Sequence, residues 1–345
     1  MCMRYIGSKV NLLEEINSEI YGYKNKLKTF CDIFSGTGTV SKYFKKDFEI
    51  ISNDLLFFSY VIQRALIQNN RTKSFLKLSN HIGSNPFKYF SECSPKESDI
   101  QRTPFILENF SPYHNNERMY FSINNALKID FIRQSINDWH SNRIINKDEY
   151  FYLIACLIEA VPFISNIAGT YGAFLKHWDK RALNDIIVKD YDSIINNKKK
   201  NKCYNLNAND LIKKIKGDIL YIDPPYNGRQ YSSNYHLLET IAKYDYPAIK
   251  GKTGLRDDSS INSDYCKKGK VYESLNNLVK EANFKVIVVS YSSEGILSKK
   301  EIKEILTKNC DTKTFNLNEI PYRRYSRTSN RNEKKLYEYI FRIKK

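Results

Sequence analysis

Short apolar runs broken by glycine-rich or polar turns open the chain and return near its end, and between them apolar residues recur at helical spacing. Residues 27–62 read as strand, turn, helix, strand, helix. Thr29 to Phe34 is a short apolar run, Ser35 to Thr39 a glycine-rich turn, and Phe48 to Ser52 a second run ending at Asn53-Asp54. Such alternation predicts a parallel sheet with helices on its faces, an α/β fold. Late in the chain, Asp218 to Ile222 runs into a double proline, and Phe284 to Ser290 is another β-branched strand. Ligands of open α/β sheets bind outside the carboxyl ends of the strands, where the polar loops after these runs fall. Residues 70–200 are predicted to be an inserted lobe, with helices over Ile123 to Trp139 and Glu149 to Ile158 and loops around Pro86, Pro95, Pro104 and Pro112. Asn196 to Asn201, with Lys198-Lys199-Lys200, reads as a solvated linker returning to the core.

Composition narrows this picture. A length of 345 residues accommodates one large domain with an insertion or two ordinary domains. With 41% hydrophobic and 14% aromatic residues the chain can build a core. Phe151 to Ile164 is its most apolar stretch, but Glu159 and Pro162 interrupt it, and it falls short of the roughly 18 to 20 apolar residues of a membrane span, so it is predicted to be buried. No apolar segment of signal-peptide length follows Arg4 and Lys9, which favours the cytoplasm. Seven Cys form no CxxC pair and five His are scattered, so neither a disulfide framework nor a metal site is expected. The net charge of +17 points to an anionic partner, although a Lys- and Asn-rich chain also arises from a biased genome. The last 35 residues are the most basic, ten Lys and Arg against four Asp and Glu. There Arg323, Arg324, Arg327 and Arg331 alternate with Tyr, Ser, Thr and Asn, a mixture suited to phosphate oxygens, with a solubilising tail as the equal alternative.

Four short motifs carry chemistry. In Phe34-Ser35-Gly36-Thr37-Gly38 two glycines allow a tight turn, and the free amides of the following helix start could meet a polar ligand; the turn could also be only a turn. Asp54 lies about 20 residues beyond it, the spacing at which an acidic residue accepts from ribose hydroxyls, although Asn53-Asp54 could instead cap a helix. In Asp223-Pro224-Pro225-Tyr226 two prolines remove two donors and hold carbonyls outward beside a carboxylate and an aromatic ring. That arrangement suits an amine on a flat ring, the amine donating to Asp223 and to a carbonyl while Tyr226 stacks on the ring. Ser290 to Gly295 ends another strand, and spacing assigns it no role.

Taken in order, these residues resemble the alpha group of amino-specific DNA adenine methyltransferases, and particularly the modification enzymes of type II restriction systems. Arg4 to Lys9 resembles the family's N-terminal cofactor motif, which would place Tyr5 and Lys9 against S-adenosylmethionine. Asp32, Phe34, Gly36 and Gly38 match the main cofactor motif, Asp54 the ribose contact, Asp210-Leu211 the contact to the cofactor's adenine, and Asp223 to Tyr226 the catalytic motif. The strings Asn166 to Leu183 and Asn227 to Arg256 resemble the restriction-associated branch. The resemblance implies a Rossmann-like methyltransferase core of residues 1–69 and 201–345, a mainly helical target-recognition lobe of residues 70–200, and a C-terminal antiparallel hairpin of Lys313 to Ile320 and Leu336 to Ile343. Asp223, Pro224 and Tyr226 would act on a flipped adenine, and Arg323, Arg324 and Arg327 on DNA. It further implies duplex DNA as partner and a cognate endonuclease that acts on the same site without stable association, with no metal and no membrane. Methyltransferases of RNA adenine or of a glutamine amide use similar pockets, but the long insertion and the branch strings argue against both. Against a DNA-binding protein that has lost catalysis stand the intact Gly36, Gly38, Asp54 and Asp223.

Overall fold

A computed structural model describes residues 7–24, 26–322 and 336–345. These divide into two compact units: Gly7–Leu55 with Ile195–Gln230 and Asn262–Lys345, and Leu56–Ile194 with Tyr231–Ile261. The strands are β1 (Thr29–Asp32), β2 (Glu49–Asn53), β3 (Lys202–Tyr204), β4 (Lys216–Ile222), β5 (Ile249–Lys250), β6 (Leu255–Arg256), β7 (Asn283–Ser292), β8 (Asp311–Tyr322) and β9 (Leu336–Lys344).

The first unit is built on a seven-stranded sheet in the order β3-β2-β1-β4-β7-β9-β8. Its first five strands run parallel, and β9 and β8 close the edge as an antiparallel pair. The expected strands are all present, the hairpin included. From β1 the chain winds outward to β2 and β3, then returns to place β4 and β7 on the other side, so strand order reverses between β1 and β4. That reversal is where an open α/β sheet leaves room for a ligand. Both faces of the sheet centre are covered, which is why β1, β4 and β7 read as continuous apolar runs rather than alternating ones. Cys31, Leu220, Ile222, Ile287 and Val289 share one core with the helices Val271–Glu281 and Lys299–Asn309. Phe30 stacks on Phe44 at 4.5 Å between ring centres. Asp218 locks the start of β4 to that of β1, accepting from the amides of Lys28 (2.8 Å) and Thr29 (3.1 Å).

Asn196 to Asn201 returns the chain to the sheet as expected, with Asn196, Lys198 and Lys200 exposed, but two of its asparagines are taken up by the core unit rather than by solvent. Asn197 donates to the Phe48 carbonyl at 2.8 Å, and the buried Asn201 accepts from the Ile50 amide at 2.9 Å. These amides satisfy backbone groups beside β2 that water would otherwise have to serve. Charge and polarity predicted solvation because they do not reveal such pairing.

In the second unit the predicted helices occur as Ile123–Ser141 and Lys147–Ala160, opened by Ser122 and by a capping box of Asn146 and Glu149. Phe151, Leu153, Ile154, Leu157 and Ile158 lie in a core shared with Leu237, Leu238 and Ile241 of the helix His236–Lys243. Buried polar bonds tie the same segments. Arg133 donates to the carbonyls of Ile241 (2.8 Å) and Ala242 (3.3 Å), and Asp130 accepts from the Tyr244 hydroxyl at 2.6 Å. Among the described residues no helix is long and apolar enough to cross a membrane.

Candidate active site

The motif residues of the sheet unit gather at the carboxyl ends of β1 to β4. β1 ends in Asp32, buried at 1% exposure, whose Oδ2 accepts from the hydroxyls of Ser35 (3.0 Å) and Ser41 (2.9 Å). Its Oδ1 is buried with no hydrogen-bond partner. Burial pushes the Asp32 carboxyl up to about 7; the two serines oppose the shift, and the nearby Asp223 adds to it.

The chain then turns through Gly36 (φ 52°) and Gly38 (φ 82°), left-handed conformations that glycine adopts without strain. The turn is not left open to a ligand on every side. The Gly36 amide donates to Asp54 Oδ2 at 2.8 Å, and the Ser35 amide to the Asn53 carbonyl at the same distance. Asp54 therefore fastens the glycine turn, and the helix Phe57–Gln63 has Leu56, not Asp54 or Asn53, at its N-cap. Asn53 instead bridges Ile33 and Leu206. Phe34 meets the ring of Tyr265 edge-on at 4.8 Å, and the Tyr265 hydroxyl donates to Asn209 at 2.9 Å, beside Asp210. In the helix Ala208–Leu211, Asp210 is exposed and Leu211 buried.

β4 delivers Asp223. Its Oδ1 lies 2.9 Å from the ammonium of Lys9, which is only 4% exposed and also donates to the Gly7 carbonyl at 3.3 Å. Neither Asp223 Oδ2 nor the Pro224 carbonyl accepts a hydrogen bond from the described residues. The same ammonium sits 5.5 Å from the Tyr226 ring centre, and Tyr291 meets that ring edge-on at 6.2 Å. The ammonium of Lys9, which the resemblance would place against the cofactor, lies on the carboxylate of the third motif.

Glu338 on β9 had no sequence signal. It lies opposite Ser292 in register, and its Oε2 is buried without a hydrogen-bond partner. Burial raises its carboxyl, Lys9 opposes the shift and Asp223 reinforces it. Burial likewise raises Asp223 against the pull of Lys9. At Lys9 burial favours the neutral amine, but the carboxylates of Asp223 and Glu338 outweigh it and the shift is upward. Two carboxyls, Asp223 and Glu338, thus act on one ammonium, and Asp32 lies near the first of them, a place with more acidic than basic groups.

Ser290 to Gly295 spans the end of β7 and the turn that follows it. The Gly295 amide donates to the Ser292 carbonyl and the Ser293 amide to that of Tyr337, while the Leu297 amide donates to the Tyr291 hydroxyl. The loop acts by holding the Tyr291 ring against Tyr226. Tyr5, Arg323, Arg324 and Arg327 lie outside the described residues.

A family model described as D12 class N6 adenine-specific DNA methyltransferase matches residues 5–305. The chain is 51% identical over 344 residues to the type II methyltransferase M.FokI of Planomicrobium okeanokoites, covering 99% of this chain and 53% of that protein. It is 43% identical over 344 residues to the modification methylase StsI of Streptococcus sanguinis, covering 99% of the chain and 52% of the relative. It is 38% identical over 351 residues to the type II methyltransferase M.NlaIII of Neisseria lactamica, covering 99% of each. The chain thus spans about half the length of M.FokI and StsI and nearly all of M.NlaIII.

Proposed function

Because the chain belongs to the D12 class N6 adenine-specific DNA methyltransferase family, we propose that it methylates the exocyclic amine of a flipped adenine in duplex DNA, with S-adenosylmethionine as methyl donor, as the protecting enzyme of a restriction-modification system. A finer assignment, to the alpha group with an Asp-Pro-Pro-Tyr motif, is supported by motif order: Lys9 and the glycine turn precede a long insertion, and Asp223 to Tyr226 follows it.

The observation that carries the proposal is the pair of acceptors at the end of β4. Asp223 Oδ2 and the Pro224 carbonyl accept nothing from the described residues, while Lys9 holds the other carboxylate oxygen. The exocyclic amine of adenine is a weak nucleophile because its lone pair is conjugated with the ring. Two acceptors that draw its hydrogens out of the ring plane free that lone pair, and they bind more strongly as positive charge grows on nitrogen. A paired base cannot reach them, so the adenine must leave the stack at a cost of a few kcal/mol, which stacking on Tyr226, worth about 1 to 3 kcal/mol, partly offsets.

The residues present fit the donor. S-adenosylmethionine supplies an electrophilic methyl group on a sulfonium and carries a second positive charge on its amino group. The surplus of carboxyl groups around Lys9, with the buried and unpartnered Oδ1 of Asp32, suits such a cation. Asp32, Phe34, Gly36, Gly38 and Asp54 would form that pocket with Asp210 and Leu211, and Tyr5 would belong to it as well. We assign the sheet unit to catalysis and target recognition to the inserted residues 70–200, with Arg323, Arg324 and Arg327 on DNA phosphates. A cognate endonuclease would read the same site without binding this chain.

The test is expression in a host free of DNA methylation, followed by sequencing that reports modified adenine and its context. One recurrent methylated motif, lost in Asp223→Ala, is expected. Genomic DNA without modified adenine in cells holding the folded protein would overturn the proposal.

A further inference from the structure

The sequence Lys250-Gly251-Lys252-Thr253-Gly254 leads from β5 into β6, and Arg118 of the same unit gathers two of its carbonyls. Arg118 Nε donates to the Lys252 carbonyl and Nη2 to that of Gly251, each at 3.2 Å, while the buried Tyr120 hydroxyl sits 3.1 Å from the Thr253 carbonyl. The single proton of Tyr120 goes to the closer Tyr171 carbonyl at 2.8 Å, so it is Arg118 that draws the carbonyls of Gly251 and Lys252 toward itself. In a trans peptide the N–H points opposite to the C=O, so the amides of Lys252 and Thr253 face outward, and neither donates to any described residue. Gly251 (φ 67°) and Gly254 (φ 68°) supply the left-handed corners this requires.

Around those amides the charge is positive. The Lys252 side chain is exposed and has no ion pair among the described residues, and Arg118 meets only carbonyls there, so neither cation is matched by a carboxylate. Lys250 adds a third, shared with Asp257 at 2.6 Å. Successive amides with no partner among the described residues, beside a lysine and a threonine hydroxyl, are donors of the kind that hold a tetrahedral oxyanion.

We infer that residues 250–254 are a phosphate-binding turn, built by Arg118, that takes a backbone phosphate of DNA through the amides of Lys252 and Thr253 and the Lys252 ammonium. The inference rests on the DNA reading above for the source of the phosphate, not for the site. A phosphate contact carries no base information, so it sets register and affinity rather than specificity.

The experiment has two arms on the full chain. Inorganic phosphate is titrated while the amide resonances of Lys252 and Thr253 are followed, and duplexes with and without the methylated motif are bound across a salt series by wild type, Lys252→Ala and Lys252→Arg. Expected are saturable shifts of both amides and, in Lys252→Ala, a several-fold loss of affinity on every duplex with a salt slope shallower by about one, largely restored in Lys252→Arg. Amide shifts with DNA binding and salt slope unchanged would make the site one for free phosphate and overturn the DNA assignment. No amide shifts and no change in slope would overturn the site altogether. If the wild type binds no duplex, the proposed function fails, and the phosphate arm alone decides whether the turn is an oxyanion site.

Discussion

Asp223 has one oxygen on Lys9 and one accepting nothing from the described residues, and this division gives Lys9 a measurable task. Burial raises the Asp223 carboxyl, and the Lys9 ammonium is what opposes that shift. Only the ionised carboxylate can accept twice, so activity should rise with pH as Asp223 loses its proton. Lys9→Met removes the opposing charge, which pushes the carboxyl further up and moves the rising limb of the single-turnover rate to higher pH. A limb that stays in place would mean that Lys9 does not govern Asp223. Asp54 shows the opposite limit of reading single residues. Its distance from the glycine turn was legible, but not that its Oδ2 takes the Gly36 amide, because that bond joins groups 18 residues apart through the pairing of β1 with β2.

The elements of the sheet unit are held in register by contacts at their ends. Burial is the largest single influence on Asp218 and raises its carboxyl, but Lys285 and the amides of Lys28 and Thr29 together outweigh it and bring it down to about 2. A depressed carboxyl binds its proton less tightly folded than unfolded, so its stabilisation is complete above the ordinary value of 3.8 and fades as pH falls toward about 2. Asp218→Asn should therefore lower the urea midpoint at neutral pH, with the gap from wild type closing as pH drops through that window. A gap that does not change with pH would assign the loss to packing rather than charge. At the far end of β7 a methyl group on Gly295 would enter the Tyr291 ring. Gly295→Ala should destabilise by about 1 to 3 kcal/mol, as overpacking does, and slow methyl transfer by shifting Tyr291 off Tyr226. Wild-type stability in that variant would show that the loop yields without effort.

At the scale of the whole molecule, residues 231–261 cluster with residues 56–194, whereas the resemblance implies that they belong with a core of residues 1–69 and 201–345. Arg133 and Asp130 of the long helix are satisfied by Ile241, Ala242 and Tyr244, so an exchange of residues 70–200 alone would leave buried polar groups facing a foreign segment. If this unit selects the target, grafting residues 70–200 together with 231–261 from a relative of different specificity should transfer the methylated motif, read by sequencing of modified adenine. The graft of residues 70–200 alone should be less stable. An active double graft that keeps the original motif would place recognition elsewhere. The sequence by itself determined β1, β2, β4 and β7, the two long helices and the four motifs, because apolar periodicity, glycine turns and prolines act over a few neighbouring residues, whereas the short strands β3, β5 and β6 left no such signal. Only the tertiary structure decided that Lys9 sits on Asp223, that Glu338 brings a further carboxyl beside them, that Asn197 and Asn201 serve β2, and that Arg118 draws in the carbonyls of Gly251 and Lys252. Each of these joins residues tens to hundreds of positions apart, and hydrogen bonding, burial and charge depend on distance in space, which chain order does not encode.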